Sequence, residues 1–161
     1  MNNSLDESQS ILFVCIGNIC RSPACEAICK SLFQNSNFQS NPKHLNMKIS
    51  SAAMAQFHLN ESPDFRIQDV CLRNGIDISN YRAKQIKKID WLTYNYIVAL
   101  DPSIYNILQN MKPVDSKAKL LLFNAPNGIA DPYYGGKLEF TRMFKEIQMN
   151  MEPFLINNKI L

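Results

Sequence analysis

The sequence predicts an α/β fold: a three-layer protein with a central four-stranded parallel sheet and helices on both faces. Three observations carry that prediction. Short continuous apolar runs, the mark of strands buried on both faces, recur along the chain. Stripes at helical spacing lie between them, and strands alternating with helices build parallel sheets. The chain has 161 residues, one ordinary domain's length, and a chain this size buries roughly two thirds of its unfolded surface.

Residues 1–9 are polar, carry Asp6 and Glu7, and read as a loose tail before a single domain over 10–161. Ile11-Leu12-Phe13-Val14 is the first strand. Ala24, Ala27, Ile28, Ser31 and Leu32 give the first helical stripe. The polar stretch from Gln34 to Leu45 reads as a surface loop, and Met47 to Ala53 as a weaker strand. Ile67, Val70 and Cys71 mark a second helix, with Gly75 placed to end it in the left-handed conformation. Tyr96 to Leu100 is a strand, and Ile104, Ile107, Leu108 and Met111 a helix. Leu120 to Phe123 is the last strand. Phe140, Met143, Phe144, Ile147, Met151, Phe154 and Leu155 form a long C-terminal stripe. In such sheets ligands bind beyond the carboxyl ends of the strands, so attention falls on the loops that leave Val14, Ala53, Leu100 and Phe123.

Composition narrows the classes. Hydrophobic residues are 46% and charged residues 19%, which excludes a disordered or collagen-like chain. The net charge of +3 is too small to argue for nucleic acid. No basic segment precedes an apolar run at the N-terminus, and no run approaches the ~20 residues of a membrane helix. The five cysteines all fall between Cys15 and Cys71. An odd, crowded set is a poor disulfide framework and points to a reducing, cytoplasmic compartment.

The first strand runs into Cys15-Ile16-Gly17-Asn18-Ile19-Cys20-Arg21-Ser22-Pro23. Ser22-Pro23 reads as a helix start, Ser at the N-cap and Pro in the first turn. Strand, tight loop and helix N-terminus make an anion site, because loop amides point inward and the helix dipole favours negative charge. Gly17 permits a turn that a side chain would obstruct. Arg21 closes the loop with a fork suited to two phosphate oxygens. A thiol at Cys15 in that field favours the thiolate. A thiolate facing a phosphate monoester is a nucleophile aimed at phosphorus, through a cysteinyl-phosphate. Cys15 and Arg21 alone are also compatible with a buried thiol and a surface cation. No Gly-Lys-Ser/Thr comes after, so this is not a Walker loop.

Val14 to Pro23, together with Asp131-Pro132-Tyr133-Tyr134-Gly135-Gly136 far downstream, resembles the low-molecular-weight protein tyrosine phosphatases, over about Ile11 to Leu155. The resemblance implies hydrolysis of phosphotyrosine proteins or peptides and small aryl phosphates, with acid phosphatase activity and inorganic phosphate as product and inhibitor. It implies no cofactor and no metal. Cys15 would be nucleophile, Arg21 the phosphate and transition-state binder, and Asp131 the acid that protonates the leaving oxygen, then the base toward water. Without the resemblance, Asp131-Pro132 reads as a turn. The phosphate loop would span Ile16, Gly17, Asn18, Ile19, Cys20, Arg21 and Ser22. Asn18 would brace it and Ser22 would donate to the Cys15 thiolate. Ile19, Phe57, Tyr133 and Tyr134 would wall the ring slot. Arginine phosphatases of this type tend to carry Thr where Ile19 stands. The resemblance also implies a reversible Cys15–Cys20 disulfide as redox guard.

Some positions depart from that pattern. Tyr81 stands where many relatives carry a His that supports the loop Asn, and Asn95 where an Asp is common. Cys25, Cys29 and Cys71 read as core, since no spacing fits a zinc template. His44 and His58 are isolated, although His58 lies next to Phe57, towards the ring slot. Two rival functions stand beside phosphatase: a thiol-dependent arsenate reductase, which needs relay cysteines, and a non-catalytic phosphotyrosine-binding module, which has no use for the full trio Cys15, Arg21 and Asp131.

Overall fold

The computed structural model describes residues 9–35, 37, 41, 44 and 46–161. The tail over residues 1–8 and most of the Gln34–Leu45 loop lie outside the described residues. The elements run β1 (Ser10–Cys15), α1 (Arg21–Phe33), β2 (Lys48–Ala53), α2 (Phe65–Arg73), α3 (Asp90–Thr93), β3 (Tyr96–Ala99), α4 (Pro102–Met111), β4 (Lys119–Leu122) and α5 (Lys137–Asn157).

All four strands are parallel, in the order β2-β1-β3-β4. Every residue of β1 and β3 is buried, so both faces of the sheet are covered there. That is why these segments read as unbroken apolar runs rather than alternating ones. Helix α5 packs against both α1 and α2, and α4 packs on β3 and β4. The predicted C-terminal stripe is borne out: all seven of its residues are buried along α5. Gly75 comes just after the α2 C-cap with φ of 78°, the left-handed ending expected.

Two expectations need correction. Ile107 and Met111 do not join the α4 core and are 45% and 46% exposed; only Ile104 and Leu108 point inward. The helix is short, and its contact with the sheet is one turn wide. The short α3 was not anticipated; it is held by a fully buried Trp91 rather than by periodicity. Asn95 has a structural use: its side-chain oxygen accepts from the Ser10 backbone N–H at 2.8 Å, tying the start of β1 to the approach to β3.

The strand order reverses between β1 and β3. The chain leaves β1 toward β2 and later returns to β3 on the other side. The crevice at that switch point lies beyond the carboxyl ends, between the loops after Cys15 and Ala99.

Candidate active site

The loop after β1 is turned so that its carbonyls face outward. The Cys15 carbonyl accepts from the Met54 N–H at 2.9 Å, Ile16 from Ala55 at 2.9 Å, and Ile19 from Asp64 at 2.9 Å. With those oxygens occupied, the Asn18 N–H faces inward, 3.3 Å from Cys15 Sγ, as an anion site requires. Asn18 holds the left-handed conformation at φ 56°, which Asn tolerates better than most side chains. Gly17 leaves room for its neighbour: a Cβ there would come within 2.9 Å of the His58 ring, which would have to shift.

The helix start differs from the expectation. α1 begins at Arg21, with Cys20 at the N-cap and no side-chain cap. Ser22 is therefore one residue inside, and its hydroxyl turns to the thiol instead, 2.9 Å from Cys15 Sγ. Inside the helix its hydroxyl is out of reach of an N-cap position and is taken up by the sulfur.

Asn18 braces the loop from behind. Its Oδ1 accepts from the Lys84 backbone N–H at 3.1 Å, and its Nδ2 donates to Ser22 at 2.8 Å and to Ser51 at 2.9 Å. Ser51 in turn donates to Glu26 Oε1 at 2.7 Å. Glu26 is buried, and its other oxygen accepts from Lys30 at 2.7 Å. Tyr81 does not reach Asn18 as the usual His would. Its phenol pairs with Glu26, and burial, then the Glu26 charge, push its ionisation well up.

Arg21 is 3% exposed at the cleft floor. Nη1 donates to Asp101 Oδ2 at 2.8 Å and to the Ile129 carbonyl at 2.9 Å, while Nη2 lies 3.7 Å from Asp131 Oδ2. Burial alone would weaken the guanidinium's charge; Cys15 and the Asp101 bond outweigh it, and its pKa is raised. Asp131 serves its turn and its cleft at once: Oδ1 accepts from the Tyr133 N–H at 3.1 Å, and Oδ2 faces Arg21.

A cleft of about 490 Å³ brings together Cys15, Ile16, Gly17, Ile19, Cys20, Arg21, Phe57, Asp131, Tyr133 and Tyr134, with His58 beside them. Asn18 and Ser22 sit beneath it. Phe57 and Tyr134 are 76% and 97% exposed, so they form a rim rather than a closed slot. The Tyr133 and Tyr134 rings meet edge to face at 5.1 Å.

A sequence model for low molecular weight phosphotyrosine protein phosphatases matches residues 10–160. The chain belongs to that family. The family's Saccharomyces cerevisiae phosphatase is 38% identical over 154 residues, covering 91% of this chain and 92% of that protein. The solution structure of the low molecular weight protein tyrosine phosphatase of Tritrichomonas foetus is 45% identical, with a TM-score of 0.77 over 96% of this chain and 98% of that one. A Drosophila arginine phosphatase is 29% identical, with a TM-score of 0.81 over 92% and 97%. The family likeness thus spans enzymes named for two phosphoamino acids.

Several residues of this phosphatase's cleft escaped the sequence reading. Asp101, Glu26, Ser51, Asp64 and Arg66 all support it. Asp101-Pro102 comes after β3, one of the strand ends singled out, but an N-cap Asp before Pro is an ordinary helix start, and its side chain does cap Ile104. The five thiols are free and buried. Cys20 is pushed well up, first by burial and then by Asp64, Cys15 and Asp131; burial also raises Cys25 and Cys29, and Cys71 to about 12. His44 packs edge-on against Phe33 at 5.3 Å. Among the described residues no three metal-ligating side chains cluster, and no helix is long and apolar enough to cross a membrane.

Proposed function

We propose that the chain hydrolyses phosphotyrosine in proteins or peptides, with Cys15 as nucleophile and Asp131 as general acid and base. The observation that carries this is the shared cleft floor: Cys15, Arg21 and Asp131 border one space, with Ser22 hydrogen-bonded to the sulfur. In the first step the Cys15 thiolate attacks phosphorus and the bond to the tyrosyl oxygen breaks. Asp131 gives its proton to that oxygen. In the second, Asp131 takes a proton from water, the water oxygen attacks phosphorus, and the P–S bond breaks. Inorganic phosphate leaves and the thiolate returns. Arg21 and the backbone amides of the phosphate loop hold the equatorial oxygens, where charge is spread in the transition state.

Ile19 and the aromatic rim of Phe57, Tyr133 and Tyr134 support an aryl ring over a guanidinium. An apolar wall has no partner for the donors of phosphoarginine. The arsenate-reductase reading is weakened by the thiols: of the relay candidates beyond Cys20, all three, Cys25, Cys29 and Cys71, are fully buried. A thiolate nucleophile also supports a reducing, cytoplasmic setting.

The test is turnover of phosphotyrosine, phosphoarginine and arsenate with EDTA present, by the wild type, Cys15→Ser and Asp131→Ala. Phosphotyrosine is turned over by the wild type and not by Cys15→Ser. Asp131→Ala slows it by ~10²–10⁴-fold, the span of general acid catalysis. Full activity in Cys15→Ser, or preference for phosphoarginine or arsenate, overturns the reading.

A further inference from the structure

Asp131 sits on an irregular loop between β4 and α5, and that loop is held on either side of Asp131 by an arginine. Before it the Ile129 carbonyl accepts from Arg21 at 2.9 Å. After it Arg66, from the first turn of α2, donates to the Gly135 carbonyl at 2.7 Å and to the Tyr133 carbonyl at 3.0 Å. The same guanidinium makes a two-pronged pair with Asp64, through Nε at 2.9 Å and Nη2 at 2.8 Å. It also lies over the Phe140 ring, 4.3 Å from its centroid, so its flat face is packed and its edge is committed.

Asp64 completes the connection. Its backbone N–H donates to the Ile19 carbonyl of the phosphate loop at 2.9 Å. Its carboxylate caps α2 through the Arg66 N–H at 2.9 Å. One helix start therefore grips the phosphate loop on one side and the Asp131 loop on the other. A planar fork can bridge a carboxylate and two carbonyls at once; an ammonium cannot.

We propose that Arg66 is a positioning residue for Asp131: it fixes the far end of the acid's loop to the phosphate loop, and so sets Asp131 at the leaving oxygen. This rests on the reading of Asp131 as general acid. Proton transfer tolerates little displacement, and a shift of about 1 Å costs up to ~10²-fold. Arg66 does not contact the cradle itself, so its loss weakens proton delivery and not phosphate binding.

The experiment compares kcat/KM for phosphotyrosine and dinitrophenyl phosphate, which report the first chemical step. Dinitrophenolate leaves without help; tyrosyl oxygen needs the proton. Arg66→Gln should lose about 10- to 100-fold on phosphotyrosine and less than about threefold on dinitrophenyl phosphate. In an Asp131→Ala background the same substitution should cost less than about twofold on phosphotyrosine, since the group it positions is gone. Equal losses on both substrates, no loss on phosphotyrosine, or an undiminished loss in the Asp131→Ala background overturns the proposal. Arg66→Lys, which keeps the charge and can reach one carbonyl, carries the same comparison if the Gln variant does not fold. Failure of the underlying reading looks different: Asp131→Ala itself would then lose equally on both substrates.

Discussion

Ser51 gives its hydroxyl proton to Glu26 at 2.7 Å, and this bond closes the outer end of the hydrogen bonds that lead to Cys15. The Lys84 backbone N–H can only donate, so Asn18 must turn its oxygen there and its amide nitrogen to the two serines. Ser51, having donated to Glu26, is free to accept one of those protons. Ser22 accepts the other. Its own proton is left for the Cys15 sulfur at 2.9 Å, closer than the Ala52 carbonyl at 3.4 Å. A backbone N–H thus orients Asn18, Glu26 holds Ser51 ready to accept from it, and a Ser22 proton is left for the Cys15 sulfur.

Removing that carboxylate should be felt at the sulfur. Glu26→Met keeps the volume and deletes the acceptor, so the Ser51 proton has no fixed target. A hydrogen bond to a charged group contributes about 1.5–3 kcal/mol, so kcat/KM should fall about 10- to 100-fold. Alkylation of Cys15 by iodoacetamide should slow in step. Glu26→Gln, which can still accept from Ser51, should retain most activity. Equal losses in the two variants would sink the relay.

Peroxide should inactivate the wild type reversibly. The Cys20 proton is held tightly by burial and by neighbouring negative charge, so Cys15 is the thiol that reacts first. Peroxide takes Cys15 to the sulfenic acid. Cys20 can then attack the Cys15 sulfur, expelling water and forming the disulfide. Dithiothreitol should restore the wild type and fail to restore Cys20→Ser. Equal recovery of the two shows that no such guard operates.

Acid should remove part of the stability through Asp64. Hydrogen bonds from Arg66, against the pull of burial, hold its carboxyl below the ordinary 3.8. The folded value lies below the unfolded one, so the contribution is complete above the unfolded value and is lost as pH falls through the folded value. Urea unfolding at about pH 5 and about pH 3 should show a smaller difference for Asp64→Asn than for wild type.

Two glycines separate strain from collision. Gly128 has φ of 70°, and a Cβ there would lie 2.6 Å from the Leu100 oxygen and 2.7 Å from Asp101 Cα. Gly75 has φ of 78° with open space around it. Gly75→Ala should cost about 1 kcal/mol in thermal unfolding. Gly128→Ala should cost more, about 2–4 kcal/mol, the strain of a left-handed residue plus overpacking. It should also lower phosphatase activity, because Asp101 and Ile129, which flank the collision, both hold Arg21.

Much of the fold is legible in local pattern. β1 and β3 are buried on both faces, so each had to be an unbroken apolar run. The α5 stripe repeats because one face of a long helix meets the core. The loop from Cys15 to Ser22 is legible for the same reason: strand, tight turn and helix start are consecutive in the chain. Asp131 is different. By itself Asp131-Pro132 is a turn, and the turn is really there, made by Oδ1; its place beside Arg21 comes from a contact over more than a hundred residues.

The sequence by itself determined the strands and helices, the phosphate loop and the thiol within it. Those depend on neighbours a few residues apart, where periodicity and turn chemistry act. Only the tertiary structure decided which carboxylates matter. Arg21 could have paired with any acid near a strand end; the β1–β3 switch puts Asp101 within 2.8 Å. Glu26 belongs to the helix start after Ser22-Pro23, yet it faces inward to Ser51, 25 residues away. Ser22 looked like an N-cap, yet it lies inside α1 with its hydroxyl on the sulfur. Arg66 carries no signal in the local pattern, yet it joins the phosphate loop's support to the loop of Asp131, 67 and 69 residues on. The reason is common to all four. A polar side chain has several partners of similar strength, and its choice is settled by whichever is brought within hydrogen-bond reach when the sheet assembles.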